Sequence, residues 1–332
     1  MENKQEDAIP YEVLVGWRVD VECNFRCPYC YIPQNLRSDY ELFGNLDTKK
    51  VIKSFNNLKK TLMINITGGE PFLHPNFIEL CQGLTKKNYI SMNTNLSNPK
   101  VFEFAEKINP KKVGPIFAAL HITERRRLKL KEDFIKKVKL LKSKGFLVYV
   151  SQVMWPPILK ELDNLYAEFE KEGIFIRSGE FVGTYCGKSY PESYTSEEIK
   201  KMRDYNQKTV EQEKKENLPK STAKIINKRK MECRFKGNIS FKGMPCSAGK
   251  DLISVKYNGE VNRCPSDNKT MGNLFNGKVK LLEKPETCNA EICGCYYNGL
   301  RYCSGEPRIV LKRSKEKKGI LLKIKNLFLF NK

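Results

Sequence analysis

The sequence predicts a parallel α/β domain followed by a small cysteine-rich region. Apolar runs alternate with amphipathic stretches through the first half of the 332-residue chain, a pattern typical of strands and helices that alternate in a parallel sheet. Seven of the twelve cysteines lie between Cys233 and Cys303, in a segment with little periodicity. This density predicts a small unit organised by bound metal rather than by apolar burial.

The alternating half predicts six strands and five helices. The strands are expected at 13–19, 62–67, 89–93, 116–122, 147–153 and 175–181. The helices are expected near 48–60, 76–87, 100–107, 132–144 and 160–172. Gly145 and Gly173 follow the last two helices, where glycine commonly ends a helix. The pattern does not decide whether the sheet curls into a barrel or stays open.

The rest of the chain divides into three further segments. We predict domains at 1–185, 186–230, 231–308 and 309–332. The second segment holds a polar helix with Thr195 or Ser196 as its N-cap. The last segment, "LKRSKEKKGILLKIKNLFLFNK", is interpreted as a packed or frayed helix, or as a basic amphipathic tail on an anionic membrane surface.

The composition predicts a cytoplasmic enzyme. The first residues, "MENKQEDAIP", do not resemble a signal peptide, and no apolar stretch is long enough to span a bilayer. Thiols stay reduced in the cytoplasm, which favours metal ligands over disulfides. The alternative is a cytoplasmic protein whose C-terminal tail contacts the inner face of the membrane.

The net charge of +22 allows a nucleic-acid partner. Lysine far outnumbers arginine, however, and the basic residues are dispersed along helical stretches such as "FIKKVKLLKSKG". A dispersed excess of lysine is typical of a solvated surface, whereas arginine is the residue suited to bidentate phosphate recognition. We therefore expect no nucleic-acid partner, with an RNA contact left open.

Polar and reactive residues follow every predicted strand. In parallel α/β folds the carboxyl ends of the strands meet at one edge, where ligands bind. In chain order these stretches are the triplet Cys23, Cys27 and Cys30, then "TGGEP", "NTN", "LHITERRR", "SQVMW" and "RSGEF". Their repeated placement predicts one shared site.

The cysteine triplet has the spacing C-x3-C-x2-C, which suits an iron–sulfur cluster. Zinc sites usually combine two C-x2-C pairs or add histidines. The chain holds only His74 and His121, and no matching cysteine pair lies near the triplet. Three thiolates on a four-iron cluster leave one iron open to bind another ligand.

The triplet, followed by Tyr31 and then by "GGEP", resembles the radical S-adenosylmethionine (radical SAM) superfamily. The resemblance implies a partial (β/α)6 TIM-like barrel of parallel strands. It also implies a [4Fe–4S] cluster whose open iron binds S-adenosylmethionine. Reductive cleavage then gives a 5′-deoxyadenosyl radical, which abstracts hydrogen from the substrate. A one-electron reductant such as flavodoxin or ferredoxin is implied as a partner.

The resemblance also assigns roles to residues at the strand ends. Gly68, Gly69 and Glu70 would hold the methionine amino group, with Glu70 pairing with the ammonium. Tyr29 would lie near the adenine. The remaining cofactor contacts are expected at the ribose, the methionine carboxylate or the substrate, from Asn93, Asn95, Arg126, Arg127, Ser151 and Gln152. For the arginines, the basic start of a helix is an equal alternative.

Two residues are candidates for catalysis. His121 follows the fourth strand, where it could contact substrate or relay a proton, or be a structural histidine. Cys186 is a spare thiol that could donate a hydrogen atom to a substrate radical.

The C-terminal cysteines resemble the SPASM and twitch extensions, which bind auxiliary iron–sulfur clusters. Cys246 and Cys264 fit C-x12-G-x4-C, whereas the full SPASM pattern C-x2-C-x5-C-x3-C is absent. This departure favours one auxiliary [4Fe–4S] cluster, bound by Cys246 and Cys264 with two of Cys288, Cys293 and Cys295. Cys233 and Cys303 are left as spares, and a zinc ribbon is the alternative.

The resemblance does not identify a substrate. Peptide maturases often begin with a peptide-recognition domain, for which Cys23 lies too near the N-terminus. We therefore expect oxidation or epimerisation of a small or carrier-linked, sugar-like molecule. The alternatives are a peptide maturase, a tRNA-modifying enzyme and, as a non-enzyme, a zinc-organised RNA-binding protein.

Overall fold

The computed structural model describes residues 9–32, 47–215, 238–293, 303–304 and 308–310. The helices are α1 Thr48–Asn56, α2 Phe77–Thr85, α3 Lys100–Lys107, α4 Ile122–Leu128, α5 Lys131–Ser143, α6 Leu162–Lys171 and α7 Ser196–Lys215. The first eight strands are β1 Val13–Arg18, β2 Leu62–Thr67, β3 Tyr89–Thr94, β4 Val113–Ala119, β5 Val148–Met154, β6 Ile176–Glu180, β7 Gly183–Tyr185 and β8 Lys188–Tyr190. The other strands are β9 Asn238–Ser240, β10 Pro245–Cys246, β11 Leu252–Val255, β12 Glu260–Cys264, β13 Asp267–Asn273, β14 Lys278–Val279, β15 Glu286–Thr287 and β16 Arg308–Val310.

The first six strands form a parallel sheet in chain order, from β1 to β6. Helices α1 to α6 lie between successive strands, and their apolar faces join the strands in one large core. Trp17 of β1 shows which face is covered, because its ring packs against Phe55 of α1. This arrangement confirms the predicted α/β fold and is that of a partial TIM-like barrel.

The predicted strands agree with the observed ones to within one residue at each end, except for β4, which was expected at 116–122 and is observed at Val113–Ala119. The prediction extended this strand to residue 122, whereas β4 ends at Ala119 and a helix begins at Ile122. Between them His121 adopts a left-handed conformation with φ of 44°. The apolar residues Leu120 and Ile122 misled the prediction, because both are fully buried although neither lies in the strand.

Strands from the cysteine-rich region extend the same sheet. β11 pairs in parallel with β1, and β12, β13 and β14 continue outward as an antiparallel meander. The ten-stranded order is β14-β13-β12-β11-β1-β2-β3-β4-β5-β6. The predicted cysteine-rich segment therefore shares a sheet with the barrel. The bounds of the four predicted domains stay a prediction.

Helix α7 covers the other edge of the sheet, at β6. The Asn206 side-chain oxygen accepts a hydrogen bond from Ser178 N at 2.7 Å, and Thr209 Oγ1 donates to Ile176 O at 3.0 Å. These side chains satisfy backbone groups that an edge strand would otherwise leave unpaired.

No helix in the described ranges is long and apolar enough to cross a membrane. Residues 311–332, nearly all of the C-terminal tail that carried the predicted membrane contact, lie outside the described residues. Cys233 and Cys295 lie outside them as well.

Candidate functional site

The cysteine triplet lies on a loop at the carboxyl end of β1. Cys27 is buried, and Cys23 and Cys30 are half-buried. Burial, together with the neighbouring Cys23, Glu124 and Cys30 groups, raises the pKa of the Cys27 thiol to about 12. Three thiols so arranged become thiolates most readily when a positively charged metal group balances their charge.

The glycine turn after β2 supports this loop from one side. Gly69 N donates to Asp20 O at 3.1 Å, and Glu70 N donates to Glu22 O at 2.7 Å. A Cβ atom on Gly69 would overlap the backbone oxygen of Glu22, and one on Gly68 would lie 2.5 Å from Asp20 O. The two glycines are therefore required for the close approach of the two chain segments.

Gly69→Ala is expected to displace the cysteine loop and to destabilise the protein by about 1–3 kcal/mol. Gly179→Ala is the matched control, since its Cβ would be 3.7 Å from Gln152 O, an ordinary contact. Urea unfolding and iron content after reconstitution measure both effects. Equal stability and iron content in the two variants would show that the close approach is dispensable.

Glu70 is fully buried and its carboxylate is already engaged within the protein. It accepts hydrogen bonds from Phe72 N at 3.1 Å, Thr94 Oγ1 at 2.6 Å and Asn95 N at 2.5 Å. Burial nevertheless raises the pKa of Glu70 above its ordinary value. In this structure Glu70 joins the ends of β2 and β3, and its contact with a methionine ammonium stays a prediction.

The two predicted asparagines at the end of β3 differ in their environments. Asn93 is exposed, whereas Asn95 is buried next to the cysteine loop. The Asn95 amide nitrogen donates to Asn24 Oδ1 at 3.2 Å and lies 3.8 Å from Cys23 Sγ. Their predicted contacts with the ribose stay predictions.

The buried arginine of the site is one that the sequence analysis did not select. Arg126 forms an ion pair with Glu161 at 2.6 Å, and Arg127 forms one with Glu124 at 2.8 Å. Arg125 is fully buried, and its guanidinium donates to the backbone oxygens of Leu120, Ala119 and Asn95. Contact of Arg126 and Arg127 with a methionine carboxylate requires their ion pairs to open, and it stays a prediction.

Glu124 ties α4 to the cysteine loop. Its carboxylate accepts a hydrogen bond from Arg26 N at 2.8 Å and is 4 % exposed. Burial alone would raise the pKa of Glu124, but hydrogen bonds from Arg127 and from Arg26 N lower it below the ordinary value. An ionised Glu124 therefore fixes the segment between Cys23 and Cys27.

Tyr29 and His121 share a hydrogen bond at the centre of the site. The Tyr29 hydroxyl lies 3.0 Å from His121 Nδ1 and also contacts Cys27 and Gln152. Burial raises the pKa of Tyr29 far above its ordinary value. The ring packs on Trp155 at a centroid distance of 5.6 Å. Whether Tyr29 contacts adenine stays a prediction.

Ser151 and Gln152 follow one another in β5 but have different roles in the structure. Gln152 is buried, and its Oε1 accepts a hydrogen bond from Ile122 N at 3.0 Å, the first residue of α4. Ser151 is half-buried, and its backbone oxygen accepts a hydrogen bond from Leu120 N at 2.8 Å. Their predicted contacts with ribose or substrate stay predictions.

The stability of the protein is expected to depend on the protonation of His121. Burial lowers the pKa of His121 to about 4, with the Arg125 charge adding to the effect, against an ordinary value of 6.5. Below pH 6.5 the unfolded chain binds a proton that the native state does not, so stability falls as the pH decreases toward 4. Urea unfolding of the protein before cluster reconstitution measures this.

His121→Asn is the matched variant, because asparagine tolerates the left-handed backbone of this position. Its stability should fall less than that of the parent between pH 7 and pH 5. Parallel pH profiles for the two proteins would contradict the assignment of a neutral, half-buried His121.

Cys186 lies at the tip of the β7–β8 hairpin, where it is exposed and left-handed with φ of 46°. Its thiol hydrogen bonds with the Tyr185 hydroxyl, and the Tyr185 ring packs on Trp155 at 4.6 Å. An aromatic contact therefore links the hairpin to Tyr29 and the cysteine loop. Hydrogen-atom donation by Cys186 stays a prediction.

The C-terminal cysteines gather at the opposite end of the sheet. Cys246 is buried, and Cys264, Cys288 and Cys303 pack against the same apolar cluster as Leu14 of β1. A hydrogen bond from the Cys303 thiol lowers the pKa of Cys246 to about 6. From the sequence Cys303 is a spare thiol, whereas the structure places it against Cys246 as a cross-strand neighbour.

The Arg263 guanidinium holds these cysteine segments together. It is 3 % exposed and donates to the backbone oxygens of Ala248 at 3.0 Å, Thr287 at 3.1 Å and Glu286 at 3.2 Å. Cys293 packs against Phe241, as do Cys288 and Cys303. One group of five thiols thus forms from segments that are far apart in sequence.

Thiols, the donor groups of both cysteine groups, are the usual ligands of iron–sulfur clusters. Within the described ranges no three His, Cys, Asp or Glu side chains converge on a point where one ion could bind. An iron–sulfur cluster does not require such convergence, because each cysteine binds a different iron atom. Three thiols on a four-iron cluster leave one iron for another ligand, and the assignment of the triplet after β1 to such a cluster stays a prediction. The fold and site define a parallel α/β protein with two groups of thiols of the kind that bind iron–sulfur clusters.

Residues 21–115, which contain the cysteine loop and the glycine turn, match the model of the Radical SAM superfamily. The chain therefore carries a radical SAM domain. Proteins of this family use a [4Fe–4S] cluster and S-adenosylmethionine. The resemblance to the radical SAM superfamily that the sequence shows is confirmed.

Two curated relatives show how far the similarity extends. The antilisterial bacteriocin subtilosin biosynthesis protein AlbA of Bacillus subtilis is 24% identical over 331 residues, covering 89% of this chain and 69% of AlbA. The GTP 3′,8-cyclase of Haemophilus ducreyi is 39% identical over 79 residues, which cover 22% of this chain and 23% of that enzyme.

Solved structures share the fold at 14% sequence identity. Streptococcus suis SuiB has a TM-score of 0.51, and the match covers 80% of this chain and 64% of SuiB. The protein anSMEcpe with bound AdoMet has a TM-score of 0.56, with 80% of this chain and 78% of anSMEcpe covered.

Proposed function

We propose that this chain is a radical SAM enzyme that modifies a peptide. The cluster would be held by Cys23, Cys27 and Cys30, and the methionine end of S-adenosylmethionine by the Gly68–Gly69 turn. These cofactors supply, when bound, a 5′-deoxyadenosyl radical that abstracts a hydrogen atom from the substrate. The protein orients them through the Glu70 and Glu124 contacts described above.

The observation that carries the proposal is a polar sheet face between the two cysteine groups. Trp17 points to the helices, so neighbouring Gly16 faces the opposite, inner side of the sheet. Its cross-strand partners on that side are Asn65 of β2 and Ser254 of β11. The row continues to Ser91 of β3. Asparagine and serine side chains both donate and accept hydrogen bonds, as peptide groups require.

The dimensions of this face also suit a peptide. Leu14 contacts the C-terminal cysteine group, and the cysteine loop begins beyond Arg18 at the other end of β1. At about 3.3 Å per residue, the two groups are separated by roughly 15 Å or more. An extended peptide of a few residues spans that length, whereas a single sugar ring does not.

We also propose one auxiliary cluster bound within the group Cys246, Cys264, Cys288, Cys293 and Cys303. A cluster bound in this group would accept the electron that the substrate radical loses when it is oxidised. The peptide reaction is supported by AlbA, named for the biosynthesis of a bacteriocin, and by the structure of anSMEcpe with bound AdoMet and Kp18Cys peptide, at a TM-score of 0.56. The sugar-like substrate expected from the sequence has no such support.

The reaction is tested with peptides encoded beside this gene, prepared with deuterium on carbon. The reconstituted enzyme, S-adenosylmethionine and dithionite should move deuterium from a peptide into 5′-deoxyadenosine and change the peptide mass. A panel of aminocyclitols and sugars serves as the comparison. Deuterium transfer from a sugar and from none of the peptides would overturn the proposal and restore the sugar-like substrate.

A further inference from the structure

The buried side chain of Asn95 lies beside a sulfur atom of the cysteine loop. It is 4 % exposed at the carboxyl end of β3, and its Nδ2 lies within hydrogen-bonding reach of Cys23 Sγ, at 3.8 Å. The ribose contact implied by the family resemblance does not account for this position. The contact with sulfur points to a role at the cluster itself.

The orientation of the Asn95 amide is fixed by its neighbours. Its Oδ1 accepts a hydrogen bond from Ser97 N at 2.8 Å. A backbone N–H can only donate, so the amide oxygen must face Ser97 and the amide nitrogen must face the other way. The nitrogen then donates to Asn24 Oδ1 at 3.2 Å and toward Cys23 Sγ.

The Asn95 backbone is held from both sides by buried charges. The Glu70 carboxylate accepts from Asn95 N at 2.5 Å, and the Arg125 guanidinium donates to Asn95 O. Both charged side chains are fully buried. Burying two charged groups is unfavourable unless each is hydrogen-bonded. Here their hydrogen bonds fix the peptide unit that carries the amide.

Cys23 Sγ accepts a second N–H donor, from Phe25 N at 3.4 Å. Reduction adds negative charge to an iron–sulfur cluster, and N–H donors aimed at its sulfurs stabilise that charge. Each such hydrogen bond therefore makes the cluster easier to reduce. Asn95 donates one of these hydrogen bonds from its side chain. A substitution at position 95 can therefore remove this hydrogen bond and leave the backbone donor in place.

We propose that Asn95 raises the reduction potential of the cluster bound by Cys23, through its N–H···S hydrogen bond. Glu70 and Arg125 act as positioning residues that hold Asn95 in place. The proposal rests on Cys23 as a cluster ligand and does not depend on the substrate.

The test compares the reconstituted full chain with Asn95→Leu, which keeps the side-chain size and removes the donor. Asn57→Leu is the control, since Asn57 is exposed at the end of α1, on the helix side of the sheet. A redox titration followed by EPR, without substrate, should give a more negative potential for Asn95→Leu and an unchanged one for Asn57→Leu. Pulsed EPR in H2O and D2O should show that Asn95→Leu has lost one exchangeable proton coupling.

A fully iron-loaded Asn95→Leu with the parent's potential and proton couplings would overturn the proposal. If that variant does not bind iron, Asn95→Asp replaces it, because it keeps the acceptor for Ser97 and exchanges the donor for a charged oxygen. The reduction potential of Asn95→Asp should lie well below that of the parent protein, and a potential equal to the parent's would overturn the proposal. Loss of the cluster from both variants would also overturn it, because Asn95 would then be needed for assembly. Failure of the peptide assay leaves these potentials unaffected.

Discussion

Cys27→Ala is expected to abolish formation of 5′-deoxyadenosine from S-adenosylmethionine. Cys27 is the buried member of the triplet, and its thiol hydrogen bonds with Tyr29 and lies close enough to the other two thiols to shift its pKa. Without it the cluster after β1 lacks a ligand at its most enclosed position, and the reductive cleavage cannot begin. We expect the iron content to fall by about four atoms and product formation to fall to the protein-free background. Iron analysis and chromatography of the reaction measure these two quantities.

Cys81→Ala is the matched control for this variant. Cys81 is fully buried in α2, on the helix side of the sheet and away from both cysteine groups. Its replacement removes a thiol and leaves a small cavity, so we expect full iron content and near-parental product formation. Retention of the cleavage activity by Cys27→Ala would contradict the assignment of the cluster.

Cys246→Ala is expected to separate the two parts of the reaction. Without this thiol the C-terminal cysteine group should no longer bind its cluster, so that about four iron atoms are lost. The cluster after β1 should stay in place. Cleavage of S-adenosylmethionine without substrate turnover should then continue, and modification of the peptide should stop. The measured quantities are iron content, 5′-deoxyadenosine and the mass of the peptide.

Cys303→Ala tests the membership of Cys303 in the same group. Since its thiol contacts Cys246, we expect it to lose the same iron as Cys246→Ala. Full iron content in Cys303→Ala, together with loss in Cys246→Ala, would return Cys303 to the status of a spare thiol. Full iron content and turnover in both variants would contradict an auxiliary cluster at this end of the sheet.

The parts of the fold that follow from local patterns were predictable from the sequence. Each of the six strands is a short apolar run, and β2 was placed with its observed bounds, Leu62–Thr67. Helix α3 was also placed as observed, Lys100–Lys107. Helix α4 was missed because its first residues continue the apolar run of β4, and the left-handed turn at His121 has no glycine to mark it.

The contacts that organise the site depend on tertiary structure and could not be read from the motif. "GGE" indicated a close approach of backbone, but the burial of Glu70 depends on where β3 ends. Among three consecutive arginines, only the helix phase of α4 decides that Arg125 faces inward. The pairing of β11 with β1, and of Cys303 with Cys246, joins segments far apart in sequence.

Formation of 5′-deoxyadenosine by the anaerobically reconstituted protein tests the central claim most directly. The protein should be brown, bind about eight irons if one auxiliary cluster accompanies the first, and release 5′-deoxyadenosine from S-adenosylmethionine when dithionite is added. A colourless protein that binds stoichiometric zinc and forms no 5′-deoxyadenosine would contradict the account.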